Sequence, residues 1–238
     1  MSELMEYVFQ KVTDAELVGE PFKFFEVKDF VPAGFYKEFI SSLPVLDLYK
    51  PLMHKSTLRN GSSTRFELPL SLEGVSVDLG NVFSGSKVAI DIVELLCGEQ
   101  FKRLLLDKFG SDFEVTPYPH LYKDFAGFDL PPHTDIVEKA MTFGWYLPES
   151  TEHKNSGLGL FVRSNGGFDE FRRIPYEPNV AFAFLRSNDS WHGAKHHPSV
   201  SYERNSLFVT FYLKNHYRDG ALFVNDPNVD RKEIRIRE

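Results

Sequence analysis

The sequence predicts a mainly β domain carried on supporting helices, and three observations predict it. The second half holds four short runs of strand type, at residues 113–122, 140–147, 179–185 and 204–212. The first half holds two stretches whose apolar residues recur at helical spacing. The chain has 238 residues, 42% of them hydrophobic and 23 of them Phe, which suits one thick aromatic core. One domain over residues 1–238 accounts for the length: about 1–112 as helical support, about 113–213 as the β core.

Each element has a local reason. Residues 24–30, Phe-Phe-Glu-Val-Lys-Asp-Phe, read as an early strand. Residues 32–43 read as a helix, with Phe35, Phe39 and Ile40 on one face and Pro44 as its stop. Residues 47–81 are polar, turn-rich and aperiodic; a span this long predicts a substrate lid, with irregular packing as the alternative. A second helical stretch covers 87–109, broken near Gly98. Both helical stretches should pack on the outside of the major sheet. The tail from Asp219 alternates charged and apolar residues, which suits an edge strand or a contact in a homodimer. There is no internal repeat, low-complexity tract or linker.

Composition narrows the function classes. The net charge of −7 leaves no electrostatic footprint for nucleic acid. No segment reaches the length of a membrane span, and the first residues, Met-Ser-Glu-Leu-Met-Glu-Tyr, lack a basic-then-apolar leader. The single Cys97 forms no disulfide within the chain. A cytoplasmic enzyme without nucleic-acid or membrane partners is the expectation.

The candidate chemistry lies in the β half. A His-x-Asp/Glu triplet arises by chance roughly once in a chain of this size, so His133 and Asp135 gain meaning from their place. They sit between two strand-type runs, where residues two apart face the same side and can grip one metal. His192 follows the apolar run 179–185 and precedes Gly193, which lets backbone approach closely. Two imidazoles and one carboxylate leave open positions on an octahedral metal, the arrangement of non-heme Fe(II) oxygenases. Ligand count alone is equally compatible with a zinc or structural site completed by His196 or His197. His54, His120, His153 and His216 read as surface or hydrogen-bonded structural histidines. Arg204 opens the last strand-type run and shares a face with Ser206; a guanidinium beside a hydroxyl is a receptor for a carboxylate. A metal site with a carboxylate receptor suggests a chelating keto acid.

His133-Thr-Asp135, His192 and Arg204-x-Ser206 together resemble the motif of Fe(II)- and 2-oxoglutarate-dependent dioxygenases, in particular the prolyl-4-hydroxylase-like branch. Tyr122, Tyr146 in Trp-Tyr-Leu-Pro, and Gly157-Leu-Gly-Leu-Phe161 extend the resemblance, which covers residues 113–213. It implies a double-stranded β-helix, a cupin-like jelly roll. His133, Asp135 and His192 would be the iron ligands, and Arg204 and Ser206 would receive the far carboxylate of 2-oxoglutarate. Tyr122 and Tyr146 would hydrogen-bond that carboxylate; otherwise they are core residues with a bonded tip. O2 would be the oxidant, succinate and CO2 the co-products, and ascorbate a stimulant. Related halogenases carry a small residue where Asp135 stands, so hydroxylation is expected, although desaturation or ring closure uses the same ligands.

The chain departs from the family pattern at Pro148, where asparagine is common, and after its paired glycines, where an acidic or hydroxyl residue is usual. Both departures count against peptidyl-proline specificity. With Arg59, Arg65, Lys139 and Arg163 as candidate contacts, the expected substrate is a small polar or anionic metabolite, an amino acid or sugar derivative; solvated charge is their alternative reading. The rival readings are a peptidyl hydroxylase acting on a protein and a cupin-type metal-binding module.

Overall fold

The computed structural model describes residues 2–54, 57–71, 77–195 and 203–214. Helix α1 (Glu3–Asp14) begins at Ser2, whose hydroxyl accepts from the Met5 amide, and buries Leu4, Val8 and Val12 at a spacing of four. Strand β1 (Phe24–Val27) and helix α2 (Ala33–Ser41) follow. The stretch for which a lid is expected contains β2 (Lys50–Pro51), β3 (Leu58–Arg59), β4 (Ser62–Ser63), β5 (Arg65–Pro69) and the one-turn helix α3 (Leu79–Val82). Helices α4 (Lys87–Cys97) and α5 (Glu99–Phe109) meet at Gly98, whose extended backbone ends one and starts the other. Gly110, at φ 66°, terminates α5 in the left-handed conformation.

The second half is strand apart from a 3-10 turn (Lys154–Ser156): β6 (Val115–Asp124), β7 (Asp129–His133), β8 (Lys139–Tyr146), β9 (Leu158–Ser164), β10 (Gly167–Ile174), β11 (Ala181–Leu185), β12 (His192–Lys195) and β13 (Arg204–Leu213). A seven-stranded antiparallel sheet runs β1-β11-β8-β13-β6-β5-β2, and a four-stranded one runs β10-β9-β12-β7. Apart from the β9–β10 hairpin, which lies within the small sheet, successive strands of the second half alternate between the sheets in the manner of a double-stranded β-helix, as the resemblance implies.

Period-two alternation divides the core. Met141, Phe143 and Trp145 of β8, with Leu207, Val209 and Phe211 of β13, pack against the helices. Trp145 is fully buried there among Phe30, Tyr36 and Phe39. The opposite face of the large sheet turns toward the small one, where Phe24, Tyr146, Phe182 and Phe184 meet Leu158, Leu160 and Ile174.

Two boundaries differ from the sequence reading. The connection between the strand-type run 113–122 and His133 is shorter than that run implies, because β6 continues to Asp124 and β7 occupies 129–133, Pro131 and Pro132 included. Within the expected lid, β2 and β5 join the large sheet through β6, so that part is sheet; residues 55, 56 and 72–76 lie outside the described residues. The tail from Asp219, His196, His197 and His216 also lie outside them. No described helix is long and apolar enough to cross a membrane.

Candidate metal centre and carboxylate receptor

His133 ends β7 and His192 begins β12, and the two are register partners across these strands. Their rings stand 4.4 Å apart between centroids. Gly193 makes this possible: a Cβ there would lie 2.6 Å from the Leu130 carbonyl oxygen, so a side chain would push β12 away from β7. Each imidazole has its Nδ1 on a backbone carbonyl, His133 on Pro131 at 3.0 Å and His192 on Ser190 at 2.9 Å. With the Nδ1 proton donated there, each ring offers its Nε2 lone pair to a metal.

Asp135 lies two residues past β7. Its Oδ1 accepts from Lys139 Nζ at 2.7 Å and its Oδ2 from the Thr142 hydroxyl at 3.1 Å. Arg186 Nε donates to its backbone carbonyl at 3.3 Å. Oδ2 stands 4.0 Å from His192 Nε2, and potential ligand atoms of His133, Asp135 and His192 all fall within 4.8 Å of one another. Among the described residues this is the one such grouping. Two imidazoles and a carboxylate fit a divalent iron.

Burial would raise the Asp135 pKa, yet Lys139 above all, with the two imidazoles, holds it well below the usual carboxylate range. Burial pushes His192 down to about 4 against the pull of Asp135, so its ring is neutral and able to coordinate near neutral pH. Lys139 is raised despite its burial, because Asp135 faces it.

The inner wall of the large sheet continues from this centre in rows fixed by register. Thr142 pairs with Thr210; Gly144 with Phe208 and His120; Tyr146 with Ser206, Tyr122 and Glu67; and the last row is Arg204, Asp124 and Arg65. Arg204 is 2% exposed and donates from Nε to the Ser156 carbonyl at 2.8 Å and from Nη1 to Asp124 Oδ2 at 2.6 Å. Its guanidinium stands about 5 Å from the Tyr146 and Tyr176 rings, at 5.1 and 5.2 Å. The Tyr146 hydroxyl accepts from the Leu158 amide at 2.8 Å. Ser206 Oγ is fully buried and has no hydrogen-bond partner among the described residues. An orphaned hydroxyl beside a buried guanidinium fits the carboxylate of a keto acid.

The structure thus gathers His133, Asp135 and His192 at one point and sets Arg204, Ser206, Tyr122 and Tyr146 on one wall. Asp124 is the residue that sequence reasoning missed. It lies two positions after Tyr122, so the same alternation that places Tyr122 inward places Asp124 there as well. The candidate substrate contacts separate. Lys139 joins the metal centre and Arg65 lies beside Asp124, whereas Arg59 pairs with Asp129 near the surface and Arg163 stacks on Trp191.

No protein-family model matches the chain, and no curated protein matches it in sequence. Solved structures do match in fold. A prolyl-4-hydroxylase from Pseudomonas putida aligns at 14% identity and TM-score 0.59, over 88% of this chain and 99% of that one. A prolyl hydroxylase from Trichoplax adhaerens, in complex with a hypoxia inducible factor peptide fragment, aligns at 12% identity and TM-score 0.55, over 89% and 90%. The non-heme α-ketoglutarate-dependent epimerase SnoN of nogalamycin biosynthesis aligns at 13% and 0.53, over 97% and 92%. The chain therefore has the fold of 2-oxoglutarate oxygenases.

Proposed function

We propose that the protein is an Fe(II)- and 2-oxoglutarate-dependent dioxygenase that hydroxylates an unactivated C–H bond of a small polar or anionic metabolite, releasing succinate and CO2. The observation that carries this reading is the convergence of three ligand side chains, with both Nδ1 atoms and the second carboxylate oxygen of Asp135 already occupied by other partners. The chemistry supplied by bound iron and 2-oxoglutarate is oxidative: one atom of O2 enters succinate and the other the substrate C–H bond.

The chain's own residues hold and orient. His133 and His192 present Nε2, and Asp135 presents Oδ2 while Lys139 keeps the carboxylate ionised. Arg204 and Ser206 receive the far carboxylate of the keto acid, with Tyr122 and Tyr146 beside them. Phe182, Phe184 and Phe208 give the barrel interior an apolar lining that excludes water. His120, Tyr122, Lys139 and Tyr212 supply polar groups along the same wall, which favours a small polar substrate over an apolar one.

A second reading, hydroxylation of a peptide, draws on the peptide-bound Trichoplax enzyme that shares the fold. Succinate release in the presence of a panel of amino acids, sugar acids and proline-containing peptides separates the two. Stimulation by a small acid supports the first reading, and stimulation by peptides alone replaces it with the second. A protein that binds iron but never 2-oxoglutarate would belong to the cupin-type metal-binding class instead.

A further inference from the structure

Arg65 stands outside the part of the chain that carries the family resemblance, yet its charge is placed at the heart of the carboxylate receptor. Strand β5 brings it into register with Asp124, which is itself in register with Arg204. Its Nε lies 3.3 Å from Asp124 Oδ1, on the opposite carboxylate oxygen from the one Arg204 takes. The side chain is only 13% exposed and lies against two rings, 4.0 Å from the Tyr122 centroid and 4.9 Å from that of Phe128. A guanidinium held inward this way is not a solvated charge.

Arg65 Nε and Asp124 Oδ1 are in ion-pair range and buried, but among the described residues neither makes a hydrogen bond; Ser206 Oγ, one row away, is a third buried polar atom without a partner among them. Native interiors seldom leave such atoms unsatisfied, and three on adjacent rows call for a further polar partner. Charge says which kind. Two guanidinium groups share one carboxylate, so the row carries a net charge of +1. Glu67, one row away on this wall, is in register with Lys50, a cation of its own. Asp124 by itself would cancel Arg204; Arg65 restores the excess.

We infer that Arg65 is a positioning residue of the co-substrate site: by offsetting Asp124 it leaves Arg204 with the net positive charge that the far carboxylate of 2-oxoglutarate requires. The inference rests on the proposed function. It assigns to β5 a part in co-substrate binding, with Asp124 as the anion whose charge Arg65 offsets.

The test is calorimetric binding of 2-oxoglutarate to Co(II)-loaded protein without O2, in wild type, Arg65→Met, Arg65→Lys and the double variant Arg65→Met/Asp124→Asn. Arg65→Met should weaken binding by about tenfold or more, because the row becomes neutral. Arg65→Lys should stay within about threefold of wild type, and so should the double variant, because both keep a net charge of +1. A purely structural role for Arg65 gives no such recovery on removing a second buried partner. Wild-type affinity in Arg65→Met, or a double variant that binds no better than Arg65→Met, would overturn the inference. If Arg65→Met does not fold, a tenfold loss in folded Arg65→Lys overturns it equally. Failure of the wild type itself to bind 2-oxoglutarate would overturn the proposed function and this inference with it, before any variant is compared.

Discussion

Lys139 donates to Asp135 at 2.7 Å, so the one carboxylate of the metal centre already carries a cation on the oxygen that does not face His192. The pair is largely withdrawn from water, with side chains 23% and 7% exposed. The lysine therefore does two things: it keeps Asp135 charged in the absence of metal, and it leaves a single carboxylate oxygen for coordination.

Lys139→Met should destabilise the metal-free protein by about 2–3 kcal/mol, since it strands a buried carboxylate with only Thr142 as a side-chain donor. Co(II) should then raise the melting temperature more in the variant than in wild type, because the metal takes over the missing charge. Equal shifts in the two proteins would show that Lys139 and the metal do not share Asp135.

Arg204→Ala should cost about 3–5 kcal/mol, because Asp124 is fully buried and would retain only the ion-pair contact with Arg65. Urea denaturation measures it. A loss below about 1 kcal/mol, the range of an exposed pair, would contradict the buried pairing.

Gly193→Ala should weaken Co(II) binding by about tenfold or more while the chain still folds, because the added Cβ meets the Leu130 carbonyl and shifts His192 relative to His133. Titration of the cobalt absorption bands reads this directly.

His120 should contribute to acid lability. Burial chiefly, with smaller effects of Lys139 and Arg65, pushes it down to about 4, so the folded ring stays neutral where the unfolded one takes up a proton. The unfolded state then binds more protons, and stability falls as pH drops from about 6.5 toward 4. Denaturation at pH 7.5 and pH 5 should show a loss that His120→Gln reduces by roughly 1–2 kcal/mol. An unchanged pH dependence in the variant would rule out this assignment.

Much of the fold was legible in the sequence because its elements follow simple periods. The helix break at Gly98, the stop of α2 before Pro44 and the strand over 140–147 all appear close to where periodicity places them. Helix α1 is not among the elements expected from sequence, although Leu4, Val8 and Val12 carry its period. The expected lid was harder. Strands of two residues, such as β2 and β3, are too short to show alternation, and β2 pairs with the more distant β5. At the site, spacing named the ligands and Arg65 was legible as a candidate substrate contact, but Asp124 and its pairing with Arg65 become visible only through register, since sequence does not tell which strands lie side by side.

Succinate formation from 2-oxoglutarate tests the central claim most directly, measured in air with Fe(II) and ascorbate on wild type and on His192→Ala. The account predicts slow turnover by the wild type without added substrate and its loss in His192→Ala, with 2-oxoglutarate consumed in step with succinate released. No succinate from iron-loaded wild type that also fails to bind 2-oxoglutarate, or equal succinate from both proteins, would contradict it.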